Sequence, residues 1–239
     1  MWSYSALPEP EAVDAARRAA LARVLAAAGS LTLLPAVAAA STDLALQGAT
    51  RRGGMPLAEA LATRRSVRRF GTQPLSLAAV GQLLWAAQGL SAAGRRTAPS
   101  AGALYPLELH LVAAHVDGLS PGAHRYLPEA HALRRTDVEI TPAALQSAAL
   151  GQASVGMAPA VVAITAVEAR SAVKYGTPRA ARYAAFEAGA AAQNLALQAV
   201  ALGLASLVVG GFDDAAVRRA LQLPDGEQPL VLMPIGAPA

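Results

Sequence analysis

From Arg179 to Gly203 the chain runs for 25 residues without a proline, rich in alanine, and closes on a glycine. Alanine loses no side-chain entropy on entering a helix, and glycine readily takes the left-handed conformation that ends one. The stretch is therefore read as a long helix. Ahead of it lies Pro159 to Val167 (PAVVAITAV), whose β-branched residues suit a buried strand. Composition agrees: 54% of the 239 residues are hydrophobic and 15% charged, enough for a sizeable core and incompatible with global disorder.

The other elements follow from local signals. Gly53-Gly54 and Pro56 mark an entry turn, and Leu57 to Arg65 reads as a helix. Leu77, Val80, Leu84 and Ala87 recur at helical spacing behind Ser76, giving a helix over 76–90. Residues 94–104 form a polar loop, Leu107 to Val116 a strand, and the pieces around Tyr126 and Leu133 a hairpin across Pro128-Glu129. Thr141-Pro142 opens a helix to Leu150, Ser206 to Val209 is a short strand, Asp213 caps another helix, and Pro229 to Ile235 is a last strand. Strands and helices alternate without a strict βαβ repeat, so the fold class is α+β.

The amino-terminal 40 residues stand apart. Val24 to Ala40 is uncharged, follows Arg17-Arg18 and Arg23, and ends in small residues. That arrangement fits a cleaved export signal of the twin-arginine type, which would send the chain to the periplasm. Glu9, Glu11 and Asp14 fit instead an amphipathic helix on a cytoplasmic protein, and both readings stay open. The run is marginal for a membrane span, so stable insertion is not expected. The division is residues 1–40 as signal or helix and 41–239 as one domain.

The net charge is +4, and arginine supplies 19 of the 20 basic residues. The arginines come in short clusters without interleaved aromatics, which does not make a track for nucleic acid. With no cysteine, disulfides, thiolate metal sites and cysteine nucleophiles are excluded. His110, His115, His124 and His131 fall within 22 residues but lack a ligand pattern, so they read as structural or surface groups and no metal is expected.

Four motifs carry chemistry. Arg64-Arg65-Ser66-Val67-Arg68 gathers guanidinium forks and a hydroxyl at a helix end, a match for an anion such as phosphate. In Pro99-Ser100-Ala101-Gly102, small residues let backbone approach a flat ligand. Val209-Gly210-Gly211 follows a short strand and exposes backbone N–H groups. Lys174-Tyr175 contains the only lysine of an arginine-rich chain, and lysine, unlike arginine, can give up a proton when desolvated. Each also has a plain structural explanation: a solvated basic face, an ordinary loop, a strand-to-helix turn, a chance survivor.

Their order is more specific than any member. Together with Glu187-Ala188-Gly189 and Gln193-Asn194 on the long helix, they resemble the FMN-dependent nitroreductase family over roughly residues 54–237, and within it the SagB-type branch that includes azoline dehydrogenases. The resemblance implies an α-β-α sandwich with a mostly antiparallel central sheet, in an intertwined homodimer with FMN at the interface. Arg64, Arg65, Ser66 and Arg68 would hold the phosphate and ribityl chain, Pro99 to Gly102 of the other subunit would line the flavin, and Val209, Gly210 and Gly211 would address its N5 and O4 edge. The implied activity is ping-pong hydride transfer through flavin N5 between NAD(P)H and a small electrophile, a nitroaromatic, quinone or similar acceptor. Three alternatives remain: a SagB-type dehydrogenase oxidising an azoline or other reduced heterocycle, with Lys174 and Tyr175 as proton acceptors; a non-catalytic flavin-binding protein; and a basic interaction module.

Overall fold

A computed structural model describes residues 43–91 and 94–239; the signal or helix expected over 1–40 lies outside them. In chain order the strands are β1 (Leu44–Ala45), β2 (Leu75–Ser76), β3 (Leu107–Ala113), β4 (Val116–Asp117), β5 (Gly122–Leu127), β6 (Ala132–Arg135), β7 (Ala160–Val167), β8 (Ala205–Ser206) and β9 (Glu227–Gly236). The helices are α1 (Leu57–Thr63), α2 (Leu77–Gln88), α3 (Pro142–Ala148), α4 (Ala153–Gly156), α5 (Ala169–Tyr175), α6 (Thr177–Ala201) and α7 (Asp214–Leu221).

In β7 every residue from Ala160 to Ala166 is buried, so both of its faces need cover. It lies between β3 and β9, antiparallel to each. The sheet continues in the order β1-β6-β5-β3-β7-β9-β8 with every pairing antiparallel. Alternating side chains divide the core. Leu109, Leu111, Val162, Ile164, Met233 and Ile235 pack against Leu83 and Leu84 of α2 and Ala184, Ala188, Ala191 and Leu195 of α6. On the opposite face Val112, Val161, Ala163 and Leu232 meet Leu145 of α3 and Val217 and Leu221 of α7. Helices thus cover both sides of one sheet, the sandwich that the resemblance implies.

The helix starts behave as their sequences direct. Ser76 Oγ accepts from Ala79 N at 3.2 Å, Thr141 Oγ1 from Ala144 N at 3.3 Å and Asp213 Oδ1 from Ala216 N at 2.8 Å, each satisfying a donor that the helix leaves open. The short β1, β2, β4 and α4 were not expected, and two further elements differ from the reading. The strand from Leu107 breaks after Ala113, because Ala114 N and His115 N both turn to Pro159 O, at 2.9 and 3.0 Å. Residues 169–175, read as no element, form α5. It is joined to α6 through Gly176 alone, whose φ of 76° and ψ of 157° lie outside helical geometry. Among the described residues no helix is long and apolar enough to cross a membrane.

Three of the histidines are structural, one of them with a partner that spacing did not reveal, and His115 is exposed. His110 Nε2 lies 2.6 Å from Glu227 Oε1, and both side chains are buried. Thr165 Oγ1 donates to the same carboxylate oxygen. His131 lies between Tyr126 Oη at 2.8 Å and Gln47 O at 3.0 Å, and His124 Nε2 is 2.9 Å from Ser120 O. Burial alone would raise the Glu227 pKa, but the hydrogen bonds from His110 and Thr165 hold it below the usual carboxylate range. A carboxyl with a lowered folded pKa adds stability above its unfolded value and loses it as pH falls through the folded one. Replacing Glu227 by alanine is expected to cost about 3 kcal/mol at neutral pH and to flatten the acid limb of the stability profile, measured by denaturant unfolding between acid and neutral pH.

Candidate functional site

The arginine motif begins where α1 ends. Arg64 leaves helical geometry at φ −52° and ψ 125°, and Arg65 folds back so that its Nη1 donates to Ala62 O at 2.9 Å and Arg64 O at 2.8 Å. The next residues are fastened to the sheet edge. Ser66 bridges in parallel to Ser206, and Val67 N donates to Ser206 O at 3.1 Å. From Ser206 the chain runs to Val209, which exchanges two 2.9 Å backbone bonds with Leu232, and then into Gly210 and Gly211. Gly210 is four positions on from Ser206, at most about 13 Å of extended chain. The arginine cluster and the diglycine turn therefore lie within reach of one small ligand.

A residue that the sequence reading passed over joins them. Gln152 Nε2 donates to Gly211 O at 2.7 Å and to Ala149 O at 3.0 Å. Its side chain also lines, with Arg68, Arg69 and Phe70, a cavity of about 630 Å³. Among the described residues, Arg64, Arg68 and Arg69 form no ion pair, and the N–H groups of Gly210 and Gly211 meet no acceptor. A Cβ at Gly210 would find open space, so that glycine is not required by crowding. Unneutralised guanidinium groups and open amides on one stretch of the sheet edge form a donor set for an anion and a polar ring edge. These residues fit FMN.

A second constellation gathers at Pro99 to Gly102. Glu187 of α6 accepts from Ala101 N at 2.9 Å and from the Ser100 hydroxyl. Burial raises the Glu187 pKa against the opposing effect of those two bonds. Gly102 sits at φ 63°, followed by Ala103 at φ 54° and Tyr105 at φ 46°. Left-handed backbone at non-glycine residues is costly and persists where neighbours hold it. Here Ser100 Oγ accepts from Tyr105 N at 2.9 Å, and Arg96 lies over the Tyr105 ring at 5.2 Å. A Cβ on Gly102 would meet Tyr175 Oη at 2.7 Å and Lys174 Nζ at 3.1 Å. Lys174 and Tyr175 thus lie against the middle of this loop. Lys174 Nζ is 5.3 Å from the Tyr175 ring centre, and Tyr175 packs edge-on against Tyr183 at 5.0 Å. Beside them Pro99, Ser100, Ala101, Tyr183, Phe186 and Glu187 line a hollow of about 340 Å³.

Within one chain the two constellations are not joined. The loop rests on Glu187, whereas the arginines rest on β8, beyond the end of α6 at Ala201. The 14 residues between Glu187 and Ala201 span about 21 Å of helix. A larger cavity of about 670 Å³, lined by Gln47, Thr50, Gln82 and Gln198 among others, contains none of the motif residues.

A model of the nitroreductase family matches residues 61–237. A provisionally named nitroreductase of Methanocaldococcus jannaschii is 40% identical over 181 residues, 75% of this chain and 90% of that protein. The chain belongs to the nitroreductase family, a family of oxidoreductases. A crystal structure of a provisionally named nitroreductase from Ralstonia eutropha aligns with a TM-score of 0.72 and 31% identity, over 82% of this chain and 90% of that one. The NADPH:FMN oxidoreductase of Vibrio harveyi, solved with NAD+, shares the fold with a TM-score of 0.56 and 23% identity, over 76% of this chain and 68% of its own.

Gly102→Ala tests the second constellation. A left-handed alanine should cost about 1 kcal/mol of stability, and its methyl should push Tyr175 and Lys174 off the loop. Thermal unfolding measures the first effect, and altered tyrosine fluorescence with an unchanged far-ultraviolet circular dichroism spectrum measures the second.

Proposed function

We propose that this protein is an FMN-dependent oxidoreductase working as a homodimer, with NAD(P)H as electron donor and a small electrophile, a nitroaromatic, a quinone or a similar molecule, as acceptor. The observation that carries the reading is the pairing of Ser66 with Ser206, which fastens the arginine motif to the segment that runs on to Gly210 and Gly211. In this reading Arg64 and Arg68 grip the cofactor's phosphate and Ser66 donates a further bond. Arg65 adds positive charge from its seat on the end of α1. Val209, Gly210 and Gly211 offer their backbone to the ring edge, and Gln152 holds Gly211 in place. Pro99, Ser100, Ala101 and Gly102 come from the other subunit, which accounts for the distance between the two constellations along α6. Bound flavin supplies the two-electron chemistry of the reaction.

A second reading is favoured by the position of Lys174 and Tyr175 against Gly102. As a SagB-type dehydrogenase, the protein would use these two side chains to take a proton from a reduced heterocycle such as an azoline as hydride leaves it. The two readings share a cofactor site and differ in the direction of electron flow.

Purified protein should be yellow and should bleach anaerobically on addition of NADPH or NADH. Arg64→Ala and Arg68→Ala should each weaken FMN binding roughly 10- to 100-fold, measured by flavin fluorescence during equilibrium dialysis. Undiminished retention in both variants would overturn the assignment. Lys174→Ala separates the readings. Quinone or nitroaromatic reduction that survives while heterocycle oxidation falls by roughly 100-fold or more assigns the lysine to proton transfer.

A further inference from the structure

Near the start of the segment bearing Lys174 and Tyr175 stands an arginine that touches the end of the same loop. Arg170 Nη1 donates to Tyr105 O at 3.0 Å, and its Nη2 donates to Glu108 Oε1. Glu108 is 8% exposed and stands on β3, in the middle of the sheet. Its other carboxylate oxygen accepts from Arg125 Nη2 of β5 at 2.9 Å, so it is fixed from two directions. Charge-assisted bonds of this kind are short and directional, and a buried carboxylate left without them would be costly.

The rest of α5 gives it little hold of its own. It has seven residues, too short for a helix to persist alone, with no side-chain cap at Glu168 and a non-helical glycine at its end. Among its side chains only Ser171 is buried, while Val173 is 84% exposed. Among the described residues, the ion pair with Glu108 is the side-chain bond that joins α5 to the sheet. The bond to Tyr105 O also acts on a residue held at φ 46°, three places beyond Gly102.

We propose that Arg170 is a positioning residue that fixes Lys174 and Tyr175 against the Gly102 loop, by tying α5 to Glu108 and to the Tyr105 carbonyl. One turn of helix separates Arg170 from Lys174, so the guanidinium sets the place of the amine without touching it. Arg170 joins the proton-transferring pair and its loop into one unit referenced to the sheet. This deepens the second reading above and rests on it.

The single lysine makes the test direct. Reductive methylation with 13C-formaldehyde labels Lys174 and the chain's amino terminus, and a Lys174→Arg sample identifies the lysine signal. With the amine over the Tyr175 ring, the wild-type methyl resonance should be displaced by the ring current. Arg170→Gln should return it toward the position of free dimethyl-lysine, and Glu108→Gln, which keeps an oxygen acceptor but removes the charge, should shift it part of the way. In turnover of a reduced heterocycle, Arg170→Gln should lower kcat roughly 10- to 100-fold with KM within about twofold, since misplacement by about an ångström costs this much. In a Lys174→Ala background the same substitution should cause no further loss.

A lysine resonance unmoved in both variants overturns the proposal, and so does an undiminished loss in the Lys174→Ala background. Should Arg170→Gln fail to fold, Glu108→Gln alone decides the matter by the same resonance. Full heterocycle turnover by Lys174→Ala would instead overturn the second reading, and the resonance would still decide whether Arg170 holds the segment.

Discussion

A strand with no face toward water sets the terms for the remainder of this molecule. Because β7 is buried on both sides, two helical layers are obligatory, and every residue from Ala160 to Ala166 is committed to packing. Groups that must meet a ligand are therefore displaced to the edges and ends of the sheet. The arginines lie along the β8 edge. The lysine and tyrosine lie on a short helix that starts one residue beyond the end of β7. Alanines along α6 keep that helix close to the sheet, so its polar positions, Glu187 among them, come within reach of loops from β3.

Charge is used in two ways. Glu108 and Glu227 are withdrawn from solvent, Glu227 with its buried partner His110 and Glu108 against the half-exposed Arg125 and Arg170, which confers geometry more than net stability. Arg64, Arg68 and Arg69 are, among the described residues, left without acidic partners. Arg65 also has no acidic partner among the described residues, but its guanidinium completes the end of α1, where positive charge complements the helix dipole. The four arginines between positions 64 and 69 thus separate into different physical duties.

What could be read from the chain was what is local. The long α6, the buried β7, the hairpin at Pro128-Glu129 and the caps at Ser76, Thr141 and Asp213 all depend on spacing over a few residues. The four motifs were visible for the same reason, and their order pointed to the family. Helix α5 was hidden because its sequence, ARSAVKY, has neither a cap nor a clear apolar face; it is held by Arg170 bonding across 62 residues to Glu108. His110 and Glu227 are 117 residues apart, and Gln152 and Gly211 are 59 apart. No periodicity encodes such pairs, so the side chains that orient the site emerged only from the fold.

The joint at Gly176 has one more consequence. Its backbone lies at φ 76° and ψ 157°, a combination closed to residues with a side chain, and it is the whole connection between α5 and α6. Any other residue there would be strained, and Pro178, which has no N–H to offer Lys174 O, keeps the two helices from merging into one rod. The corner is thus a mechanical decoupler: the long helix can bear the load of the core while its short neighbour takes its bearing from the sheet.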